Sequence, residues 1–140
     1  MRHITLSLLI VLTASVTLSD AKSQPSPGQA ATPATIAVRL SNFAFTPDHV
    51  RLRVGVPVHF QLVNESSGGH DFSAPAFFAA SNFAPGSPRP PAGKVDVPSQ
   101  TMVELTLTPS TPGTYPVECT HFLHALFGMS GTIEVVGPAG

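Results

Sequence analysis

Short stretches of alternating apolar and polar residues, separated by prolines and glycines, fill most of this chain after residue 35. Such alternation is typical of strands that bury one face. The stretches span residues 36–40, 50–54, 56–62, 95–97, 103–107, 115–119 and 133–135. They predict an all-β fold, a Greek-key β-sandwich or barrel of seven to eight strands. Only residues 74–83 resemble a short helix or flap.

The N-terminus has the features of an export signal. A short basic start, Arg2 and His3, precedes an apolar run at residues 4–19, which suits a signal better than a membrane span of about 20 residues. We expect residues 1–21 to be a signal peptide and the mature protein to be periplasmic, with no membrane span after cleavage. A retained membrane anchor is the alternative.

The composition of the rest of the chain separates a linker from a domain and argues against one class of function. Residues 22–34 are rich in Pro and Ala without apolar periodicity, which predicts a flexible linker before a single domain at residues 35–137. Seven Lys and Arg stand against eight Asp and Glu, giving a net charge of −1. The scattered basic residues argue against nucleic-acid binding.

The single cysteine, Cys119, requires an explanation in an exported protein, because one thiol cannot form an internal disulfide. Three interpretations compete: an inert buried thiol, an intermolecular disulfide or a metal ligand. Its neighbours favour the metal ligand. Cys119, His124 and Met129 follow one another with four residues between each pair, on a loop between two apolar stretches.

A fourth donor, His70, lies far upstream, directly after another predicted strand. Two imidazoles, a thiolate and a thioether are the ligand types of a type 1 copper centre, with three strong donors and one weak axial sulfur. The sequence therefore predicts one type 1 copper ion per chain, bound by His70, Cys119, His124 and Met129.

With these motifs the domain resembles the cupredoxins, the plastocyanin and azurin family of blue-copper proteins. The resemblance also rests on F-x-F-x-P at 43–47, the segment 64–72, G-T-Y at 113–115 and G-M-x-G-T-I at 128–133. The C-x4-H-x4-M spacing is most similar to that of rusticyanin and auracyanin. The resemblance implies that His70, Cys119 and His124 bind copper in a plane, with Met129 axial.

The family also suggests roles for residues beside these ligands. The resemblance implies that the Gly69 carbonyl approaches copper from the other side, and that Asp71 and Thr120 tie the two ligand loops together by a hydrogen bond. The family usually has Asn where this chain has Asp71, so the carboxylate is expected to alter the reduction potential.

His121 departs from the closest family patterns, which have one histidine in this loop. A C-x-H spacing along extended chain makes it hard for both side chains to grip one metal, so we prefer His124 as the ligand. The rival assignments are that His121 replaces His124 or recruits a second copper ion.

These residues predict a non-enzymatic carrier that shuttles single electrons between redox partners through Cu(I) and Cu(II). By resemblance, partners such as cytochromes or oxidases dock transiently on a monomer, at an apolar patch around His124. The candidate patch residues are Phe122, Leu123, Ala125, Leu126 and Phe127, with Phe77 and Phe78 either extending the patch or packing a flap. The alternatives are a periplasmic copper-handling protein, favoured by His121, and a thiol enzyme that uses Cys119.

Overall fold

The computed structural model describes residues 32–121 and 127–137, which form ten strands and one short helix. The strands are β1 (Ala34–Ser41), β2 (Ala44–Thr46), β3 (His49–Arg53), β4 (Val58–Asn64), β5 (His70–Ser73), β6 (Ser81–Phe83), β7 (Lys94–Val97), β8 (Thr101–Pro109), β9 (Gly113–Glu118) and β10 (Ser130–Val136). Helix α1 covers Pro75–Ala79, and a single 3₁₀ turn covers Pro91–Gly93.

The strands form two mixed five-stranded sheets. The first has the order β2-β1-β4-β8-β6 and the second the order β3-β10-β9-β5-β7. The pairs β1–β4 and β3–β10 are parallel and the other pairs are antiparallel. The predicted all-β sandwich is therefore confirmed.

One apolar core lies between the sheets, and alternation along the strands supplies it. In β4, Val58, Phe60 and Leu62 are buried while the residues between them are partly exposed. Aromatic rings fill the centre, where Phe60 lies against Phe72 and Phe77 with ring centroids 6.3 and 6.1 Å apart. Burial of such side chains is the main force that holds the two sheets together.

The structure differs from the sequence prediction in three short strands, β2, β5 and β6, which raise the count above eight. Residues 81–83, predicted as part of a helix or flap, form β6, and the helix is limited to α1. Phe77 and Phe78 are 0% and 6% exposed, so they pack the core and do not extend a surface patch.

The predicted signal peptide, residues 1–21, and most of the predicted linker lie outside the described residues. The first strand begins at Ala34, one residue before the predicted start of the domain. Within the described ranges, no helix is long and apolar enough to cross a membrane.

Candidate metal centre

Three of the four predicted ligands lie at one end of the second sheet. Strand β9 lies between β10 and β5 and runs antiparallel to both. His70 is the first residue of β5, Cys119 follows the last residue of β9, and Met129 precedes β10. The end of one strand therefore meets the beginnings of its two neighbours, which brings residues distant in sequence together.

His70 and Cys119 face each other in the protein interior. The Nδ1 atom of His70 is 3.9 Å from the Sγ atom of Cys119, and the two residues are 1% and 0% exposed. Met129 is also fully buried, and its carbonyl accepts a hydrogen bond from the backbone N–H of Cys119 at 3.1 Å. The His70 and Cys119 side chains thus bring a nitrogen and a sulfur donor together, with the backbone of Met129 beside them.

Asp71 ties the two ligand segments together. Its carboxylate oxygens accept hydrogen bonds from the backbone N–H and the hydroxyl of Thr120, at 2.8 and 2.7 Å. Its own backbone N–H donates to the Cys119 sulfur at 3.5 Å. The contact predicted between residues 71 and 120 is therefore present, with a carboxylate as the acceptor.

A second set of contacts holds the far side of the His70 ring. The Nε2 atom of His70 is 2.9 Å from the hydroxyl of Ser66, which in turn donates to the Asn64 side-chain oxygen at 2.7 Å. Asn64 is the last residue of β4 and is 1% exposed. The ring is therefore fixed by the first sheet as well as the second.

Burial raises the pKa of the Cys119 thiol above its ordinary value, and the N–H of Asp71 partly offsets this effect. Without a metal ion, Cys119 is thus a protonated thiol at neutral pH. Because the sequence contains a single cysteine, no disulfide within the chain involves this sulfur.

A comparison of the sequence with protein-family models identifies the family of this chain. Residues 8–135 match the family described as "Cupredoxin-like domain". The chain belongs to this family. Auracyanin B is a similar solved structure, with 25% identity, a TM-score of 0.56 and coverage of 75% of this chain and 91% of that one. Dithionite-reduced auracyanin from the photosynthetic bacterium Roseiflexus castenholzii is 18% identical, with a TM-score of 0.57 and coverage of 74% and 97%. No curated protein matches the chain significantly.

Membership of the cupredoxin-like family implies a single type 1 copper ion, and the donors in this chain fit one. Donors bound to one first-row ion, at about 2.0 Å for nitrogen and 2.3 Å for sulfur with a trigonal angle, lie about 3.7 Å apart. The observed separation of 3.9 Å between His70 Nδ1 and Cys119 Sγ is close to this value. The types also fit, since imidazole, thiolate and thioether together are typical of copper that changes oxidation state.

The His121 side chain lies next to the ligand group, beside Asp71. Its Nε2 atom is 3.9 Å from the Asp71 carboxylate, and its side chain is 42% exposed. Together with Asp71 and Asp96 it forms the one group of three potential metal-binding side chains found within 4.8 Å among the described residues. His121 does not form such a group with His70 and Cys119.

Several predictions fall on residues that the structure does not describe. His124 lies outside the described residues, as do Phe122, Leu123, Ala125 and Leu126 of the predicted patch. The four-ligand set therefore stays a prediction. Phe127, the described member of the patch, is 61% exposed, and its ring packs edge-on against Phe43 with centroids 5.1 Å apart.

Asn64 and Ser66 are site residues to which the sequence analysis gave no role. The sequence pattern N-x-S four residues before the first histidine was the available signal. Asn and Ser favour turns in which the side chain bonds nearby backbone, and Asn64 does so here by accepting the Ser66 N–H at 2.9 Å.

Proposed function

We propose that this cupredoxin-like protein is a periplasmic electron carrier that holds one type 1 copper ion through His70, Cys119, His124 and Met129. The observation that carries the proposal is the approach of His70 Nδ1 to Cys119 Sγ, 3.9 Å apart in the interior. Export is supported by the signal-like residues 1–21.

The protein's part in electron transfer is to keep the ligands in place. Copper bound here supplies a one-electron couple between Cu(I) and Cu(II). His70 and Cys119 are attached to neighbouring strands, and the hydrogen bonds between Asp71 and Thr120 join their segments. Because these contacts do not depend on the charge of the ion, the ligand positions change little between oxidation states, and little energy is spent on rearrangement.

Redox partners such as cytochromes or oxidases would dock transiently at the apolar patch around His124. Support comes from Phe127, which is exposed only two residues before the buried Met129. Small apolar patches suit short-lived electron-transfer complexes, which bury little surface area. The carrier role needs no substrate pocket, and we propose that the protein is not an enzyme and acts as a monomer.

The direct test is to add copper to the apo-protein and to record a visible spectrum and a voltammogram. We expect an intense thiolate-to-copper absorption and a reversible one-electron wave.

Cys119→Ser should abolish the absorption, because serine supplies no thiolate. Met129→Gln should keep the absorption but lower the potential, because an amide oxygen stabilises Cu(II) more than a thioether does.

A matched control is Met102→Gln, since Met102 is a surface methionine in β8 and is 51% exposed. This variant should leave both the spectrum and the potential unchanged. Copper binding without any thiolate absorption would show that the carrier proposal is wrong.

Copper handling, by buffering or delivery, is the second candidate, and His121 favours it. The His121 nitrogen is exposed, lies beside the exposed carboxylate of Asp96 and the buried carboxylate of Asp71, and could make the first contact with an incoming ion. Tight Cu(I) binding without a reversible wave, weakened by His121→Ala, would support handling over electron transfer. His49→Ala is the control, because His49 also lies beside a carboxylate, with Nε2 3.5 Å from Glu134, but on β3.

A further inference from the structure

A chain of side-chain hydrogen bonds runs from the end of β7 through Asn64 and Ser66 to the ring of His70. Each step has a definite donor, and the order of donors determines which nitrogen of His70 carries its hydrogen. At Asn64 the surrounding atoms leave only one orientation of the side-chain amide.

The Asn64 amide nitrogen faces backbone carbonyls on every side. It lies 2.9 Å from the carbonyl oxygens of Gly68 and Val97 and 3.1 Å from that of Pro98. Carbonyl oxygens only accept, so the donor end of the amide must point towards them. The Asn64 side-chain oxygen therefore points towards Ser66, where it accepts the backbone N–H at 2.9 Å.

The Ser66 hydroxyl has one hydrogen, and two acceptors compete for it. Its oxygen lies 2.7 Å from the Asn64 side-chain oxygen and 3.0 Å from the Gly68 carbonyl oxygen. If the hydroxyl donated to His70 instead, its oxygen would face two acceptors at these distances with no hydrogen between them. Two acceptor oxygens 2.7 Å apart with no hydrogen between them repel each other, so this arrangement is unfavourable.

His70 must therefore be the donor to Ser66, through Nε2–H, across a distance of 2.9 Å. In a neutral imidazole a hydrogen on Nε2 leaves Nδ1 unprotonated, and Nδ1 is the atom that faces the Cys119 sulfur. The ring is thus held in the form that offers a lone pair towards the metal centre.

We infer that Asn64 and Ser66 are positioning residues, which fix His70 as the Nε2–H tautomer and present Nδ1 to the copper ion. The role of this tautomer rests on the proposed function, whereas the tautomer itself belongs to the metal-free protein. Partners of this kind orient a ligating histidine and raise its basicity, and their loss typically weakens metal binding about 10- to 100-fold.

The tautomer can be measured directly in the apo-protein by long-range ¹H–¹⁵N NMR correlation of the His70 ring, at a pH where the imidazole is neutral. We expect Nε2 to be protonated and Nδ1 unprotonated. Ser66→Ala should move the two nitrogen shifts towards each other, because both tautomers become populated. Ser66→Thr should retain the wild-type pattern, since it restores a hydroxyl.

Ser99→Ala is the matched control. The Ser99 hydroxyl donates to the Ser66 carbonyl at 2.9 Å, so this variant loosens the same turn by one hydrogen bond without touching His70. It should leave the tautomer unchanged. A wild-type ring protonated on Nδ1, or a Ser66→Ala ring identical to the wild type, would overturn the inference.

Copper binding gives the second readout. Competition with a colorimetric Cu(I) chelator should show affinity weakened about 10-fold or more in Ser66→Ala, with wild-type affinity in Ser99→Ala. The two proposals fail separately. A wild-type protein with the Nε2–H tautomer but no thiolate-to-copper absorption contradicts the electron-carrier proposal alone, and a blue protein with the other tautomer contradicts this inference alone.

Discussion

At the scale of single residues, Asp71 places a carboxylate beside the metal centre. It is fully buried, and both oxygens accept hydrogen bonds from Thr120, which is the pattern of an ionised carboxylate. The same residue donates its backbone N–H to the Cys119 sulfur. A formal negative charge therefore lies beside the metal centre, where the family usually has a neutral amide.

Asp71→Asn tests this charge while keeping the shape of the side chain. The asparagine oxygen can still accept the Thr120 N–H, and its amide can donate to the Thr120 hydroxyl. Because a negative charge stabilises Cu(II) relative to Cu(I), its removal should raise the reduction potential. We expect a rise on the order of 60 mV, which is a tenfold change in a one-electron equilibrium, measured by voltammetry.

Asp96→Asn provides the control, because Asp96 lies directly opposite Asp71 in the β5–β7 pair but is exposed. The same change of charge in contact with water should shift the potential much less. Equal shifts in the two variants would mean that burial gives the Asp71 charge no special influence.

At the scale of elements, the sequence predicted the strands that bury one face and missed those that do not alternate. β1, β4 and β8 show the period of two that an exposed and a buried face impose. β5 has three consecutive buried residues, and β2 and β6 have three residues each, so none offers enough alternation to detect.

Some residues of the candidate site could likewise be predicted from the sequence and others could not. Cys119, His124 and Met129 lie close together in the sequence, so their regular spacing could be recognised there. His70 could be predicted because an imidazole completes the ligand types of a type 1 copper centre. The chain of hydrogen bonds from Asn64 through Ser66 to His70 could not be predicted from the sequence. It depends on the contact between the end of β4 and the end of β7, which are 33 residues apart in the sequence.

The contact between the 3₁₀ turn and helix α1 yields a prediction for stability. Gly93 has a φ of +70°, and a Cβ added there would lie 2.3 Å from the Cα of Pro75, the first residue of α1. Gly93→Ala must displace backbone, and we expect it to cost about 2 kcal/mol or more in the free energy of unfolding. Urea denaturation measures this loss.

Gly86→Ala separates the two causes of the effect. Gly86 has a similar φ of +79°, but a Cβ there would meet nothing within 4 Å. Its free energy of unfolding should therefore fall only by the cost of placing alanine in left-handed backbone, about 1 kcal/mol. Equal losses in the two variants would contradict the role assigned to the contact with Pro75.

At the scale of the whole molecule, the two ends of the sandwich are not equivalent. The ligand segments lie at the end where β4 finishes, and the exposed Phe43 and Phe127 rings pack together beside the Met129 segment. Val56 lies just before the start of β4, at the opposite end, and is 45% exposed. Electron exchange is therefore expected to depend on contacts at one end only.

Phe127→Ser should slow electron self-exchange between reduced and oxidised copies of the protein, measured by NMR line broadening. Burial of a Phe side chain contributes about 1.5–3 kcal/mol, so we expect a rate about tenfold lower, with an unchanged potential. Val56→Ser removes a similarly exposed apolar side chain at the other end and should leave the rate unaltered. A slower rate in the valine variant would show that contact is not confined to the copper end.

The complete burial of Cys119 has a consequence for the chemical stability of its sulfur. An accessible thiolate is oxidised stepwise to sulfinic and sulfonic acids, which most cells cannot reverse, whereas a protonated sulfur shut away from peroxide resists this damage. Cys119 is therefore expected to resist oxidation better than an exposed thiol would. The packing that brings Cys119 to His70 thus also limits the access of oxidants to the sulfur.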